Sequence, residues 1–347
     1  MTENGFIGTQ SNRGTRTKRE KKMTRGLSEP FTKAFATSGL FAFYEANSKD
    51  LLLGIRNEYV NIYYKGASVC KVEYDENSGG FSCETAKKYL YGEGDYGKKS
   101  YETVSPEEIE QKYHEIIKKN IENIHSPDER VAQQELIMRN NANAESKWFC
   151  VDLEYVKQRN NRGEKPYGRF DIIAISKKPP YQVALIELKY GADAIGGKSG
   201  IVKHANDFAE FNKSHIFTKH MKNEIVDIVR SLGTMNVCPI TISDESEICD
   251  TPKFYFITLN NNPKTAGAAT PKMKMGGYVF LKSNPKYSKA GSGKQSSVTV
   301  QLSDLKDITD PENDKLYAQF LFSTATIDNL SIKDIIDDPS YDRSFGL

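Results

Sequence analysis

Through the middle of the chain, apolar and polar residues alternate with the two-residue period of β-strands. Phe149, Val151, Leu153 and Tyr155 fall on one face of a strand over residues 149–156. Residues 170–175 and 183–190 give two more, with turns at Asn160-Asn161-Arg162-Gly163 and Lys177-Lys178-Pro179-Pro180. A helical period flanks this trio. Ser126-Pro127-Asp128-Glu129 carries the cap, first-turn proline and returning acid of a capping box, opening a helix through Val131, Leu136, Ile137 and Met138. After a glycine-rich loop over 191–200, two helices are predicted, over 201–211 and about 214–232, with Gly233 as a stop. An apolar run at 254–259 reads as a buried strand.

Upstream, residues 41–44, 51–56, 60–64 and 69–72 predict a small antiparallel sheet. Residues 76–104, rich in Gly, Lys and Tyr, are expected to include a surface loop. Ser105-Pro106-Glu107-Glu108 opens a helix with the apolar stripe Ile109, Tyr113, Ile116, Ile117, Ile121 and Ile124. Beyond 260 the pattern weakens: strands at 276–281 and 298–302, a helix or strand at 316–322, and an acidic tail after 325. Four regions follow: a disordered basic arm (1–30), a β-rich region (31–104), a core (105–265) and a C-terminal extension (266–347). The expected fold class is α/β (α+β) with a mixed sheet, its core running α-β-β-β-α-β and an antiparallel β region added before it.

Composition narrows the class. The 347 residues are 38% apolar and 27% charged, without the ~18-residue apolar run that a membrane helix needs. No secretory leader is visible, and five scattered cysteines without a CxxC pair suggest free thiols in a reducing, cytoplasmic setting. A formal charge of +2 hides an uneven distribution: Arg13, Arg16, Lys18, Arg19, Lys21, Lys22 and Arg25 face only Glu20 nearby. Such an arm binds phosphate backbones electrostatically, or is simply solvated.

The chemistry concentrates in the second and third core strands. Asp171 lies sixteen residues before Glu187, and Glu187 and Lys189 project from one face of an otherwise apolar strand. Buried charges need partners. Two carboxylates make a hard-oxygen site for Mg²⁺ or Mn²⁺, and a lysine beside them can orient a water for attack on a phosphodiester.

This Asp, a gap, then Glu-x-Lys on a strand resembles the core motif of the PD-(D/E)XK nuclease superfamily, whose restriction-endonuclease-like fold has the same order of elements over residues 126–259. The resemblance implies a metal-dependent nuclease acting on DNA, with Asp171 and Glu187 holding Mg²⁺ or Mn²⁺ and Lys189 orienting water. It also implies a glutamate from the first core helix. Glu129 is assigned to the capping box, so Glu135 is the expected third ligand, with Asp152 and Glu154 in reserve. Lys198 and Ser199 of the glycine loop, with Lys203 and His204 on the next helix, are expected to contact nucleic acid. Nucleases similar to this one often cut as dimers, which leaves room for a homodimer or a partner subunit.

Two other classes stay open. A nuclease-like fold can serve as a non-catalytic module that binds nucleic acid or protein. Gly196-Gly197-Lys198-Ser199 approaches a nucleotide-binding P-loop, but the required first glycine is replaced by Ala192.

Overall fold

The computed structural model describes residues 25–94, 100–124, 128–157, 168–191, 201–260, 278–280, 299–301, 318–322 and 326–329. Two five-stranded sheets organise it. The chain enters through α1 (Glu29–Ala36) and α2 (Gly39–Ala46). It then builds an antiparallel meander from β1 (Leu51–Ile55), β2 (Val60–Tyr64), β3 (Ala67–Asp75), β4 (Gly80–Ala86) and β5 (Tyr101–Val104). A short α3 (Lys87–Tyr91) links the last two strands.

Two expectations change here, and one stretch gains detail. Residues 41–44 are helical, because Ser38 Oγ accepts from the Phe41 amide and caps α2 (3.2 Å). Residues 76–104, within the expected β-rich region, hold β4, α3 and β5, and the two strands are of polar composition and bury little beyond Cys83, Thr85 and Val104. Order begins before residue 31, with Arg25 docked on the second sheet and α1 starting at Glu29. The rest of the basic arm lies outside the described residues.

The capping signature at Ser105 does start a helix, α4 (Pro106–Lys112), which runs through one π turn (Tyr113–Ile117) into α5 (Lys118–Asn123). Both helices pack on α2, α3 and β4, so they lie with the N-terminal sheet, and a boundary at 105 cuts through this packing.

The second sheet carries the predicted order. It runs α6 (Asp128–Ala142), β6 (Trp148–Lys157), β7 (Gly168–Ser176), β8 (Val183–Tyr190), α7 (Ile201–Lys213), a π turn, α8 (Lys222–Thr234) and β9 (Lys253–Leu259). Strands β6, β7 and β8 are antiparallel, and β9 lies parallel to β8. The ambiguous segment near 320 is a strand. After the short pair β10 (Tyr278–Phe280) and β11 (Thr299–Gln301), β12 (Ala318–Phe322) adds parallel to β9 as an edge.

This mixed sheet is covered on both faces. Ala132, Leu136 and Ile137 of α6 pack with Cys150, Ile172, Ile186 and Ile257 on one. Phe208, Phe211, Ile225 and Ile228 of α7 and α8 pack with Phe170, Ile173, Leu185 and Phe254 on the other. Two covered faces explain why β8 is almost continuously apolar. Each large side chain so buried contributes about 1.5–3 kcal/mol.

Besides apolar packing of β1 on β6 and α8, two polar junctions tie the N-terminal sheet to this core. At the first, Arg56 is almost fully buried and ion-pairs with Asp152 while donating to Tyr63 Oη (2.9 Å) and the Leu153 carbonyl (2.6 Å). At the second, the β2–β3 turn meets α6: Gln134 Oε1 accepts from the Gly66 amide (2.7 Å), and its Nε2 donates to the Asp50 carbonyl (2.9 Å). Gly66 has φ +73°, and a Cβ there would lie 2.6 Å from Arg130 Cβ, so the turn and the first part of α6 meet at a distance only glycine permits. The N-terminal sheet thus fixes the helix that borders the site below.

Candidate active site

The β7–β8 ladder ends at Ile172↔Ile186, and the next step of that register sets Asp171 opposite Glu187. Asp171 does not continue the ladder: its Oδ2 accepts from the Leu188 amide (2.8 Å). Glu187 and Lys189 follow Val183 and Leu185 on the face beneath α7 and α8, yet both are buried, at 2% and 7% exposure. Glu187 Oε1 takes two contacts, from Lys189 Nζ (2.8 Å) and from His204 Nε2 (3.0 Å) on α7. Glu187 Oε2 is buried with no hydrogen-bond partner.

The electrostatics follow from this burial. Desolvation, then repulsion from Asp171, pushes the Glu187 carboxyl up to about 8, with Lys189 opposing. Desolvation likewise pushes Asp171 up to about 6, against Lys189 and the Leu188 amide. Burial pulls Lys189 down, but Glu187 and Asp171 outweigh it and hold the ammonium above its ordinary value. The site therefore sets together two carboxyl groups whose simultaneous ionisation is opposed by burial and mutual repulsion, and Lys189 acts in it as a cation rather than as a base.

Of the two glutamates on the preceding helix, the structure brings Glu129 to the site and not the expected Glu135. Glu129 Oε1, not Glu135, meets Lys189 Nζ, at 3.2 Å. Glu135 lies six residues on, on another side of α6, where it pairs with Arg139 (3.2 Å) and borders a separate groove with Lys65 and Glu122. Ser126 and Pro127 of the capping signature fall outside the described residues. The helical phase was the readable signal: positions 129 and 133 share a face, and 135 does not.

Asp152 is also elsewhere, held by Arg56 and Arg25 at the junction with the N-terminal sheet. A bulge between Cys150 and Asp152, with φ +53° at Glu154, bends β6 so that Glu154 reaches Arg130 (3.3 Å). Glu154 borders the cleft that Asp171 faces, a space of about 320 Å³ whose other walls include Glu129, Gln133, Arg130 and Arg169. Of the expected nucleic-acid contacts, His204 is placed, buried against Glu187. Lys203 lies on α7. Lys198 and Ser199 lie outside the described residues, as does the rest of the near P-loop.

Among the described residues, no group of three His, Cys, Asp or Glu side chains is set to hold a metal ion. Asp171 and Glu187 nevertheless fit a divalent cation. Both are hard-oxygen donors, each opposes the other's charge, and Glu187 keeps one oxygen unpartnered. Comparison with protein-family descriptions, curated proteins and solved structures finds no match to this chain. No helix among the described residues is long and apolar enough to cross a membrane.

Proposed function

We propose that the protein is a metal-dependent nuclease of the PD-(D/E)XK kind that hydrolyses phosphodiester bonds in DNA. The observation that carries this reading is the pairing of Asp171, at the cleft, with the buried Glu187 beside a cationic Lys189, at the end of a mixed sheet built in α-β-β-β-α-β order. A non-catalytic binding module has no use for two mutually repelling carboxyl groups, one of them fully buried. Charge arranged at the cost of stability is instead typical of catalytic sites.

Asp171 and Glu187 would hold Mg²⁺ or Mn²⁺. The cation, when bound, supplies polarisation of the phosphate and a more acidic water. The chain's own groups do the rest. His204 and Lys189 fix Glu187 Oε1, which leaves Oε2 directed away from them. Glu129 steadies Lys189 from α6, and the Lys189 ammonium orients a water and offsets charge that develops on the phosphate. Arg130 and Arg169 at the cleft can hold phosphates flanking the scissile one, and the basic arm adds sequence-independent affinity. All five cysteines are free, which suits a cytoplasmic location.

The test is incubation of supercoiled, linear duplex and single-stranded DNA with Mg²⁺, Mn²⁺ or EDTA, comparing wild type with Asp171→Ala. Cleavage that needs metal and disappears in the variant is expected. DNA retention without cleavage under every condition would favour the binding module.

A further inference from the structure

We infer that Gln133 completes the cation site by contributing its amide oxygen as a neutral ligand, an inference that rests on the metal-dependent reading above. Gln133 sits one helical turn after Glu129 on the same side of α6, and the two border one cleft with Asp171. Its side chain is 3% exposed, and its Oε1 has no hydrogen-bond partner. Among the described residues, only three buried side-chain polar atoms lack a partner: Tyr113 Oη, Gln133 Oε1 and Glu187 Oε2. Two of these three belong to residues that neighbour Asp171. A buried acceptor without a donor is costly and calls for a function.

The adjacent Gln134 shows the contrast. It is equally buried, but its amide is fully engaged with Gly66 and Asp50 of the N-terminal sheet. Gln134 anchors α6, and the anchored helix presents Gln133 to the cleft. Charge explains the choice of an amide. Glu129, Asp171 and Glu187 already outnumber Lys189, and a further carboxylate would raise the repulsion that Asp171 and Glu187 experience. An amide oxygen adds a hard donor without adding charge. It also answers the shortage of a third donor among the described His, Cys, Asp and Glu side chains.

The probe is Mn²⁺ alone, titrated calorimetrically into wild type, Gln133→Met, Gln133→Glu and Asp171→Asn, with thermal melting in EDTA as the folding control. Methionine keeps the length of glutamine and removes the carbonyl. Gln133→Met should bind Mn²⁺ about tenfold more weakly than wild type while melting no lower in EDTA. A purely structural glutamine would give the reverse pattern. Gln133→Glu should bind more tightly than wild type, and it decides the question alone if the methionine variant fails to fold. Unchanged affinity in Gln133→Met, or no gain in Gln133→Glu, overturns the inference. If Asp171→Asn has meanwhile lost binding, the cation site itself stands. Absence of Mn²⁺ binding by wild type would remove both.

Discussion

Asp171→Asn should stabilise the metal-free protein while removing its activity. The asparagine Oδ1 can still accept from the Leu188 amide, so the substitution removes charge and little else. Burial raises the Asp171 carboxyl from 3.8 to about 6. At about 1.4 kcal/mol for each pH unit, ionising it in the folded state costs at most ~3 kcal/mol. Partial exposure and the loss of a counter-charge for Lys189 reduce the expected gain to ~1–2 kcal/mol, on the order of 2–5 °C in melting temperature.

The sign fixes the pH window. An acid whose folded-state pKa is raised favours folding below its unfolded value and loses that contribution as pH rises through the folded one. Variant and wild type should therefore melt together below pH 4, separate between about pH 4 and about pH 6, and stay equally far apart above it. Differential scanning fluorimetry in EDTA across this range is the assay. Addition of Mg²⁺ should then raise wild type and leave the variant unmoved. A variant that melts below wild type at pH 8, or a difference independent of pH, would refute the claim that this carboxylate is held against its own preference.

Other outcomes follow from the same contacts. Wild type in EDTA should lose stability from about pH 4.5 to about pH 8, because Glu187 is raised over that interval, and calorimetric unfolding at stepped pH reads this directly. His204→Ala should lower kcat about tenfold or more by freeing Glu187 Oε1 from one of its two contacts, and His204→Gln, which retains a donor, should recover part of the loss. Asp152→Ala should cost about 3–5 kcal/mol in urea unfolding, since it leaves Arg56 buried without its carboxylate. Gly66→Ala should cost about 1–3 kcal/mol in the same assay, because of the left-handed backbone and the close Arg130 Cβ.

Much of the core was legible because its signals are local. Period-two alternation located β6, β7 and β8, and Glu187 and Lys189 stood out as charges in a strand otherwise apolar. The misreadings have physical causes. Residues 41–44 form a short apolar run, which periodicity cannot assign, and the deciding cap at Ser38 lies outside the run. β4 and β5 bury few large apolar side chains, so no apolar pattern marks them. Glu129 was set aside because a local capping role already explained it, although the phase of α6 turns 129, and not 135, toward Lys189. The unequal fates of Gln133 and Gln134 were beyond local reading. Gln134's partners come from Gly66 and Asp50, 68 and 84 residues away.

The most direct measurement is to follow DNA binding and DNA cleavage in the same samples for wild type and Glu187→Gln, with Mg²⁺ present. Wild type is expected to bind and cut, and Glu187→Gln to bind comparably without cutting, because only the carboxylate proposed to hold the cation has been neutralised. A folded wild type that binds but never cuts with Mg²⁺ or Mn²⁺, or a Glu187→Gln variant that cuts at the wild-type rate, would contradict the assignment of this site to phosphodiester hydrolysis.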